Sequence, residues 1–267
     1  MSQSPIEQDL AGRIAVVTGA SEGIGAAITE TLAAHGAAVA FCARRADGVH
    51  ALASKLNGLP GDVHPYEVDM ADAAAVDAFL TSVQGTMGAP DILVNNVGQS
   101  PSRNFLYMTD DDWEHLFQVN LMSAVRCTQR LLPAMRQQRW GRVVMVSTGS
   151  AKYPNAATID YAATKAALVA VAKALARKYA ADNVLVNSVL PGLIRTPMWE
   201  RTAAELAAAS GQTVDSVFEA RAKNVPIGRY GEAREVADVV HYLCTERASY
   251  LAGIAIDIDG GLGTHVF

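Results

Sequence analysis

The sequence predicts an α/β fold in which a doubly wound parallel sheet of about seven strands carries helices on both faces. Short apolar runs alternate with longer helical stretches along the 267 residues. The apolar runs are continuous, as is typical of strands buried on both faces of a parallel sheet. Hydrophobic residues make up 50% of the chain, and no linker or repeat interrupts them. One domain over residues 1–267 is therefore expected.

Each predicted strand ends at turn residues or at a helical stretch. In chain order the strands are Ile14–Thr18, Ala38–Ala43, Val63–Val68, Ile92–Asn95, Arg142–Ser147, Val184–Leu190 and Ile254–Asp257. Parallel strands require crossover connections, and the right-handed rule places their helices on both faces of the sheet.

Helices fill the intervals between the strands. The clearest are Ala26–His35, Thr109–Arg139 with a possible break near Pro133, and Tyr161–Ala181. Two short helices, Trp199–Ser210 and Thr213–Lys223, occupy an alanine-rich segment at about residues 197–224, here called the lid segment. It follows the sixth strand directly, so we expect it to cover a ligand; a surface helical pair without a role is the alternative.

Composition excludes several classes of function. The net charge is −5 and there is no basic block, so neither nucleic acid nor an anionic membrane is an expected partner. No apolar stretch reaches the ~20 residues of a membrane span, and the start MSQSPIEQDL lacks a signal-peptide core. A cytoplasmic protein is expected.

Cysteine and histidine predict neither disulfides nor a metal. Cys42, Cys127 and Cys244 are odd in number and scattered. His241 and Cys244 are the only close His/Cys pair, whereas catalytic zinc needs three protein ligands.

A glycine loop follows the first strand. It reads Thr18-Gly19-Ala20-Ser21-Glu22-Gly23-Ile24-Gly25, with Gly-x3-Gly-x-Gly spacing. Glycines let the backbone approach a pyrophosphate, which binds the free N–H groups of the following helix. A plain turn is the alternative, but a strand before the loop and a helix after it favour dinucleotide binding.

Two further strands end in turn-forming or polar residues. Asn95-Asn96-Val97-Gly98 closes the fourth strand, and Pro191-Gly192-Leu193-Ile194-Arg195-Thr196 closes the sixth. Open α/β sheets bind ligands at this edge, although punctuation between a strand and a loop would look the same.

Tyr161 and Lys165 are four residues apart and share one face of a predicted helix. A phenol has a pKa of about 10, and a neighbouring cation lowers it toward the range useful for acid/base catalysis. The ordinary alternative is a tyrosine ring that packs on a lysine stem.

These motifs, in this order and together with Asn120, resemble the short-chain dehydrogenase/reductase family in its compact, single-domain form. The resemblance runs from Gly12 to about Gly261 and is greatest to 3-oxoacyl carrier-protein reductases. It implies a Rossmann-type fold, an NAD(P)-dependent interconversion of a ketone or 3-oxoacyl-type carbonyl with a secondary alcohol, and a homotetramer.

The resemblance also assigns catalytic roles. Tyr161 is the acid/base, Lys165 lowers its pKa and bonds the nicotinamide ribose, and Asn120 holds a water of the proton relay; a buried structural amide is the alternative for Asn120. The family usually has serine thirteen residues before the tyrosine, but here that position is Thr148. Threonine keeps the hydroxyl donor, while Ser147 and Ser150 remain alternatives.

Cofactor choice depends on the end of the second strand. Ala43 offers no carboxylate for a ribose 2′-hydroxyl, whereas Arg44 can bond a 2′-phosphate. Glu22 argues against the phosphate, because a carboxylate there would repel it. NADP(H) is favoured, with NAD(H) as the alternative. The candidate cofactor residues are Gly19, Ser21, Glu22, Gly23, Ile24, Gly25, Arg44, Arg45, Asp69, Met70, Asn96, Val97, Gly98, Tyr161, Lys165, Pro191, Gly192, Ile194 and Thr196.

The substrate is weakly encoded. Candidate lining residues are Gln99 and the following stretch to Met108, Thr148, Ser150, Tyr153, Leu193, Met198 and Trp199. Their mostly apolar or aromatic character suits a small ketone or an acyl chain. Asp182 stands where a carrier-protein reductase would be expected to offer a basic contact. The alternatives are a secondary alcohol, steroid or sugar dehydrogenase, and a catalytically inactive dinucleotide-binding regulator.

Overall fold

The computed structural model describes residues 7–264, and most of their strands belong to one parallel sheet. The strands are β1 (Ile14–Thr18), β2 (Ala38–Ala43), β3 (Val63–Glu67), β4 (Ile92–Asn95), β5 (Gly141–Val146), β6 (Val184–Pro191), β7 (Ile194–Arg195), β8 (Gly231–Glu232) and β9 (Ala255–Ile258). Seven form the sheet in the order β3-β2-β1-β4-β5-β6-β9, and β7 pairs with β8. The predicted doubly wound fold is confirmed. The first six residues, on which the signal-peptide argument depends, and the last three lie outside the described part.

The helices fall on both faces of the sheet. They are α1 (Gly23–Ala34), α2 (Ala46–Lys55), α3 (Ala73–Met87), α4 (Asp110–Phe117), α5 (Ser123–Gln137), α6 (Ile159–Tyr179), α7 (Pro197–Ser210), α8 (Val214–Ala222) and α9 (Ala233–Cys244). Helices α1, α2 and α9 share one hydrophobic cluster, and α3, α5 and α6 share the other.

Alternate residues of each strand supply these two clusters. Val17 and Val94 belong to the cluster with α1, whereas Val16 and Leu93 belong to the cluster with α6. All four are fully buried. The strands therefore read as continuous apolar runs because both of their faces are covered.

The order of the strands reverses between β1 and β4, which are neighbours in the sheet but not in sequence. From β1 the chain winds outward to β2 and β3, and from β4 it winds the other way. The connections after β1 and β4 therefore leave the carboxyl ends of these strands in opposite directions, and a crevice opens between them.

The long helix predicted over Thr109–Arg139 is divided, but not at Pro133. Pro133 lies inside α5 on its exposed side, and the helix continues through it. The interruption is a π-helical turn at Gln118–Met122, which buries Val119 and Asn120. Such turns occur frequently at functional sites.

The lid segment forms α7 and α8, which pack on each other. Thr196 caps α7, and Gly211 ends it at φ +69°. Their apolar side chains form a small cluster with Tyr230, whose ring meets Phe218 edge-on at 4.9 Å.

Candidate active site

The glycine loop between β1 and α1 is tightly folded. Gly19 and Gly23 have φ values of +67° and +62°, a region that disfavours side chains. A Cβ on Gly25 would lie 2.4 Å from the carbonyl oxygen of Gly19. The Asn96 side chain donates to the carbonyls of Thr18 (3.0 Å) and Gly19 (2.8 Å). Asn96 therefore supports the loop from the end of β4.

A cleft of about 640 Å³ opens between this loop and the start of α7. Its volume lies in the range of small-molecule sites. The predicted cofactor residues that line it are Gly19, Ser21, Glu22, Gly23, Ile24, Gly25, Arg44, Arg45, Asp69, Met70, Asn96, Val97, Gly98 and Thr196, and Gln99 and Met198 line it as well. Glycines without side chains at the start of a helix, and arginines at one end of the cleft, suit the phosphate groups of a dinucleotide.

Five predicted cofactor residues lie outside the lining of this cleft. They are Tyr161, Lys165, Pro191, Gly192 and Ile194. Gly192 instead packs against Asp259, where a Cβ would approach that side chain to 2.7 Å. Pro191 and Ile194 are buried.

Glu22 is not the isolated carboxylate that the sequence suggested. The guanidinium of Arg201 in α7 donates to it at 3.1 and 2.5 Å, and Arg45 lies 3.6 Å away. The hydrogen bond from Arg201 holds the pKa of Glu22 below its usual value. Arg201 lines the cleft but is absent from the predicted set, because no local motif links positions 179 residues apart.

Tyr161 lies on the first turn of α6 beside Thr148, at the end of β5. Burial raises the pKa of the Tyr161 phenol, and its hydrogen bond with the Thr148 hydroxyl acts in the opposite direction. Thr148 also accepts the backbone N–H of Ser150 at 3.4 Å. The thirteen-residue spacing thus brings the phenol and this hydroxyl together.

Lys165, which is predicted to lower the pKa of Tyr161, lies one turn further along α6. Its Nζ donates to the carbonyls of Val146 (2.9 Å) and Val97 (3.3 Å), and lies 6.0 Å from the centre of the Tyr161 ring. Burial lowers the pKa of Lys165 to about 8. Desolvation is therefore the main influence on the pKa of both residues.

The two alternative serines occupy different positions. Ser147 is buried, and its hydroxyl donates to the backbone carbonyl of Lys165 at 2.9 Å. Ser150 is half-buried and contacts Thr148 through its backbone. The hydroxyl that forms a hydrogen bond with Tyr161 is that of Thr148.

Asn120 is fully buried in the π-helical turn. Its amide donates to Gln99 O and Thr164 Oγ1, both at 3.0 Å, and its oxygen accepts the Gln99 N–H at 2.8 Å. Both N–H groups of the Asn120 side chain therefore donate to protein atoms. Neither is free to donate to the predicted water.

Arg103 joins the loop after β4 to helix α6. It contacts Asp160 at 2.9 Å and Asp112 at 3.3 Å. Asp160, directly before Tyr161, is only 1% exposed, and its other oxygen accepts the Tyr161 N–H at 2.8 Å. Arg103 falls in the predicted stretch from Gln99 to Met108, although no pattern singled it out.

Four of the predicted substrate residues lie in different surroundings. Tyr153 donates to Asp259 at 3.0 Å, and Met198 is 52% exposed at the cleft. Leu193 and Trp199 instead pack against the cluster of the lid segment.

Asp182 lies at the opposite end of the sheet from Tyr161, next to the start of β6. It pairs there with Arg136 (2.7 Å) and Arg139 (3.2 Å). Asp182 is therefore too far from the cleft of its own chain to contact a substrate bound there.

The described residues also contain a cluster that the sequence did not reveal. Asp9 accepts hydrogen bonds from His35 (3.0 Å) and His241 (2.8 Å), and the centres of the two rings lie 3.6 Å apart with an interplanar angle of 31°. Their ligand atoms are close enough to hold a metal, but each already has a partner within the cluster. His241 thus faces Asp9, whereas Cys42, Cys127 and Cys244 are buried free thiols. In the described part of the chain, no helix is long and apolar enough to cross a membrane.

Comparison with known proteins identifies the family. Residues 13–207 match the short chain dehydrogenase family. The 3-oxoacyl-(acyl-carrier-protein) reductase FabG of Thermotoga maritima is 34% identical, with 95% of this chain and 98% of that protein covered. The corresponding Escherichia coli enzyme is 35% identical, with 94% and 97% covered. L-sorbose reductase from Gluconobacter frateurii, solved with NADPH and L-sorbose, is 35% identical with a TM-score of 0.94, covering 98% of this chain and 100% of that one.

The chain belongs to the short-chain dehydrogenase family. It is an NAD(P)-dependent oxidoreductase that interconverts a carbonyl and a secondary alcohol.

Proposed function

We propose that the protein is an NADP(H)-dependent reductase of a ketone or 3-oxoacyl-type carbonyl, with Tyr161 as its acid. The observation that carries this proposal is the meeting of Tyr161, Thr148 and Lys165 beside the cleft at the carboxyl ends of β4 and β5. Carbonyl reduction needs a hydride on carbon and a proton on oxygen. The nicotinamide cofactor, when bound, supplies the hydride.

The side chains divide the remaining work. Tyr161 gives its phenolic proton to the substrate oxygen, and its raised pKa keeps that proton in place at neutral pH. Thr148 donates a hydrogen bond to the same oxygen as negative charge develops. Lys165 would bond the ribose of a bound cofactor and would pass a proton toward Tyr161. Asn120 positions the Gln99 backbone beside this group.

The preference for NADP(H) is supported by the charge at one end of the cleft. Arg44 is exposed there and has no ion-pair partner within residues 7–264, so its guanidinium can bind a phosphate. Ala43 provides no carboxylate for the ribose hydroxyl. The L-sorbose reductase structure contains NADPH.

The proposal extends to location and assembly. We expect the enzyme to be cytoplasmic and to form a homotetramer. A stripe of small side chains on α6, including exposed Ala163, Ala170 and Ala174, supports helix packing between subunits. The lid segment over residues 197–224 closes the cleft after the substrate binds.

The test is a substrate panel with both cofactors. NADPH and NADH oxidation are measured with 3-oxoacyl thioesters, keto sugars and simple ketones, and the reverse reaction with secondary alcohols and steroids. Turnover of at least one carbonyl, faster with NADPH, is the expected result. Arg44→Ala should raise the KM for NADPH about 10- to 100-fold, the loss of a charge-assisted bond, and change that for NADH much less. Cofactor binding without turnover across the panel would favour the regulator instead.

A further inference from the structure

The lid segment contacts the glycine loop through one ion pair across the mouth of the cleft. Arg201 extends from α7 and places both terminal nitrogens of its guanidinium on the two carboxylate oxygens of Glu22. Glu22 immediately precedes α1, so the pair stands at the helix start where phosphate groups bind. Both residues line the cleft.

This pair changes the charge that a phosphate would meet. Arg44 and Arg45 line the same cleft, and Arg45 lies 3.6 Å from Glu22. Without Arg201, the Glu22 carboxylate would keep only the longer contact with Arg45 and would repel a second phosphate on the adenosine ribose. With Arg201 in place, the carboxylate is paired with a cation from the lid segment, and Arg44 is left to attract the phosphate.

We propose that Arg201 determines cofactor specificity by neutralising Glu22, so that a cleft containing this carboxylate still accepts the 2′-phosphate of NADP(H). The inference rests on the proposed assignment of the cleft to NADP(H). Arg201 acts through Glu22 and is a positioning residue rather than a contact of the phosphate. Because it lies on α7, acceptance of the phosphate also depends on a closed lid segment.

The test is a double-mutant cycle with cofactor binding as its readout. Dissociation constants for NADPH and NADH are measured by fluorescence titration for the wild type, Arg201→Gln, Glu22→Gln and the double variant. Arg201→Gln should weaken NADPH binding about tenfold and NADH binding less than about threefold. In the Glu22→Gln background, the same change should alter NADPH binding less than about twofold, because no carboxylate remains to be neutralised.

Other roles for Arg201 give other patterns. If it bound the phosphate directly, its loss would weaken NADPH binding equally in both backgrounds. If it only held the lid segment closed, NADPH and NADH would weaken together; either result overturns the proposal. Lys223→Gln is the matched control. It also replaces a cation with glutamine, but Lys223 is exposed directly after α8 and does not line the cleft. It should leave both constants unchanged.

The cycle also separates this inference from the proposed function. A wild type that binds NADH more tightly than NADPH would refute the cofactor assignment. The coupling between positions 22 and 201 in NADPH binding would still decide the role of Arg201.

Discussion

Burial raises the pKa of the Tyr161 phenol further above neutrality, and a protonated phenol suits the proposed reductive direction. Its pKa is raised because water is withheld from the phenolate, while the hydrogen bond with Thr148 opposes this effect. Lys165 feels the same desolvation with the opposite sign, since burial disfavours its ammonium form. This protonation state of Tyr161 is the one that the proposed reduction requires of its acid.

Tyr161→Phe should lower turnover by about 10²–10⁴ while leaving the NADPH dissociation constant nearly unchanged. The variant removes the proton donor and keeps the ring. Steady-state kinetics and a fluorescence titration on the same preparation measure both quantities. Near-wild-type turnover would remove Tyr161 from the mechanism.

Thr148→Val should lose about 10²–10³ in turnover, whereas Thr148→Ser should keep most of it. Valine preserves the shape of threonine without its hydroxyl, so the comparison isolates the donor. Ser147→Ala and Ser150→Ala are the matched controls and should reduce turnover only slightly. Collapse of either serine variant, with an active Thr148→Val, would transfer the donor role to that serine.

Lys165 should make stability depend on pH above neutrality. Its pKa falls from 10.5 to about 8 on folding, so between these values the unfolded chain holds a proton that the folded protein has released. The burial penalty is complete below pH 8 and is relieved as pH rises toward 10.5. Relative to Lys165→Met, the wild type should gain on the order of 3 kcal/mol in free energy of unfolding across this window.

Denaturant titrations of both cofactor-free proteins at pH 7, 8, 9 and 10 measure this difference. Parallel pH curves for wild type and variant would mean that the ammonium group is not desolvated.

At the scale of secondary structure, two sets of contacts hold helix α6 in position. The π-helical turn buries Asn120, whose amide joins the Gln99 backbone to Thr164 on α6. The Arg103–Asp160 pair joins the loop after β4 to the same helix. Both contacts lie within one turn of Tyr161, so they fix where its phenol stands relative to the cleft.

Arg103→Gln should destabilise the protein by about 2–3 kcal/mol and lower turnover without changing cofactor binding. The substitution leaves the Asp160 carboxylate, which is 1% exposed, without its cation. Thermal and denaturant unfolding measure the first effect, and steady-state kinetics the second. Arg103→Lys should recover part of the stability. Arg195→Gln is the control: it removes an arginine of β7 from an exposed ion pair with Glu200 and should cost little. Unchanged stability in Arg103→Gln would show that water replaces the guanidinium.

At the scale of the whole molecule, the described chain leaves apolar surface uncovered on α6 and on the loops around the cleft. Exposed positions on α6 recur at Ala163, Ala170 and Ala174, which allows close approach of another helix. Tyr250 is 100% exposed near the start of β9. These surfaces suit contacts with further copies of the chain.

Ala170→Glu should convert the expected tetramer into smaller species. The substitution places a charge in the centre of the proposed helix contact, and its partner by symmetry would be the same charge. Light scattering at micromolar concentration measures the mass. Ala208→Glu on exposed α7 is the control and should leave the mass unchanged. A monomeric wild type would refute the assembly.

The sequence by itself determined the order of strands and helices and the residues at the carboxyl edge of the sheet. Continuous apolar runs, the glycine spacing and the Tyr161–Lys165 interval are local patterns. Such patterns predict structure because backbone geometry relates residues that are close in sequence. The division of the helix at Gln118–Met122 was missed, because Pro133 is a visible signal and a π-helical turn has none.

Only the tertiary structure decided which charges meet and which groups lose water. Glu22 suggested repulsion of a phosphate until Arg201, 179 residues away, was found on its carboxylate. The spacing of Lys165 suggested a lowered pKa for Tyr161, whereas burial raises the pKa of the phenol and lowers that of the ammonium group. Desolvation and long-range ion pairs depend on how the chain packs in three dimensions, and spacing along the sequence carries no record of either.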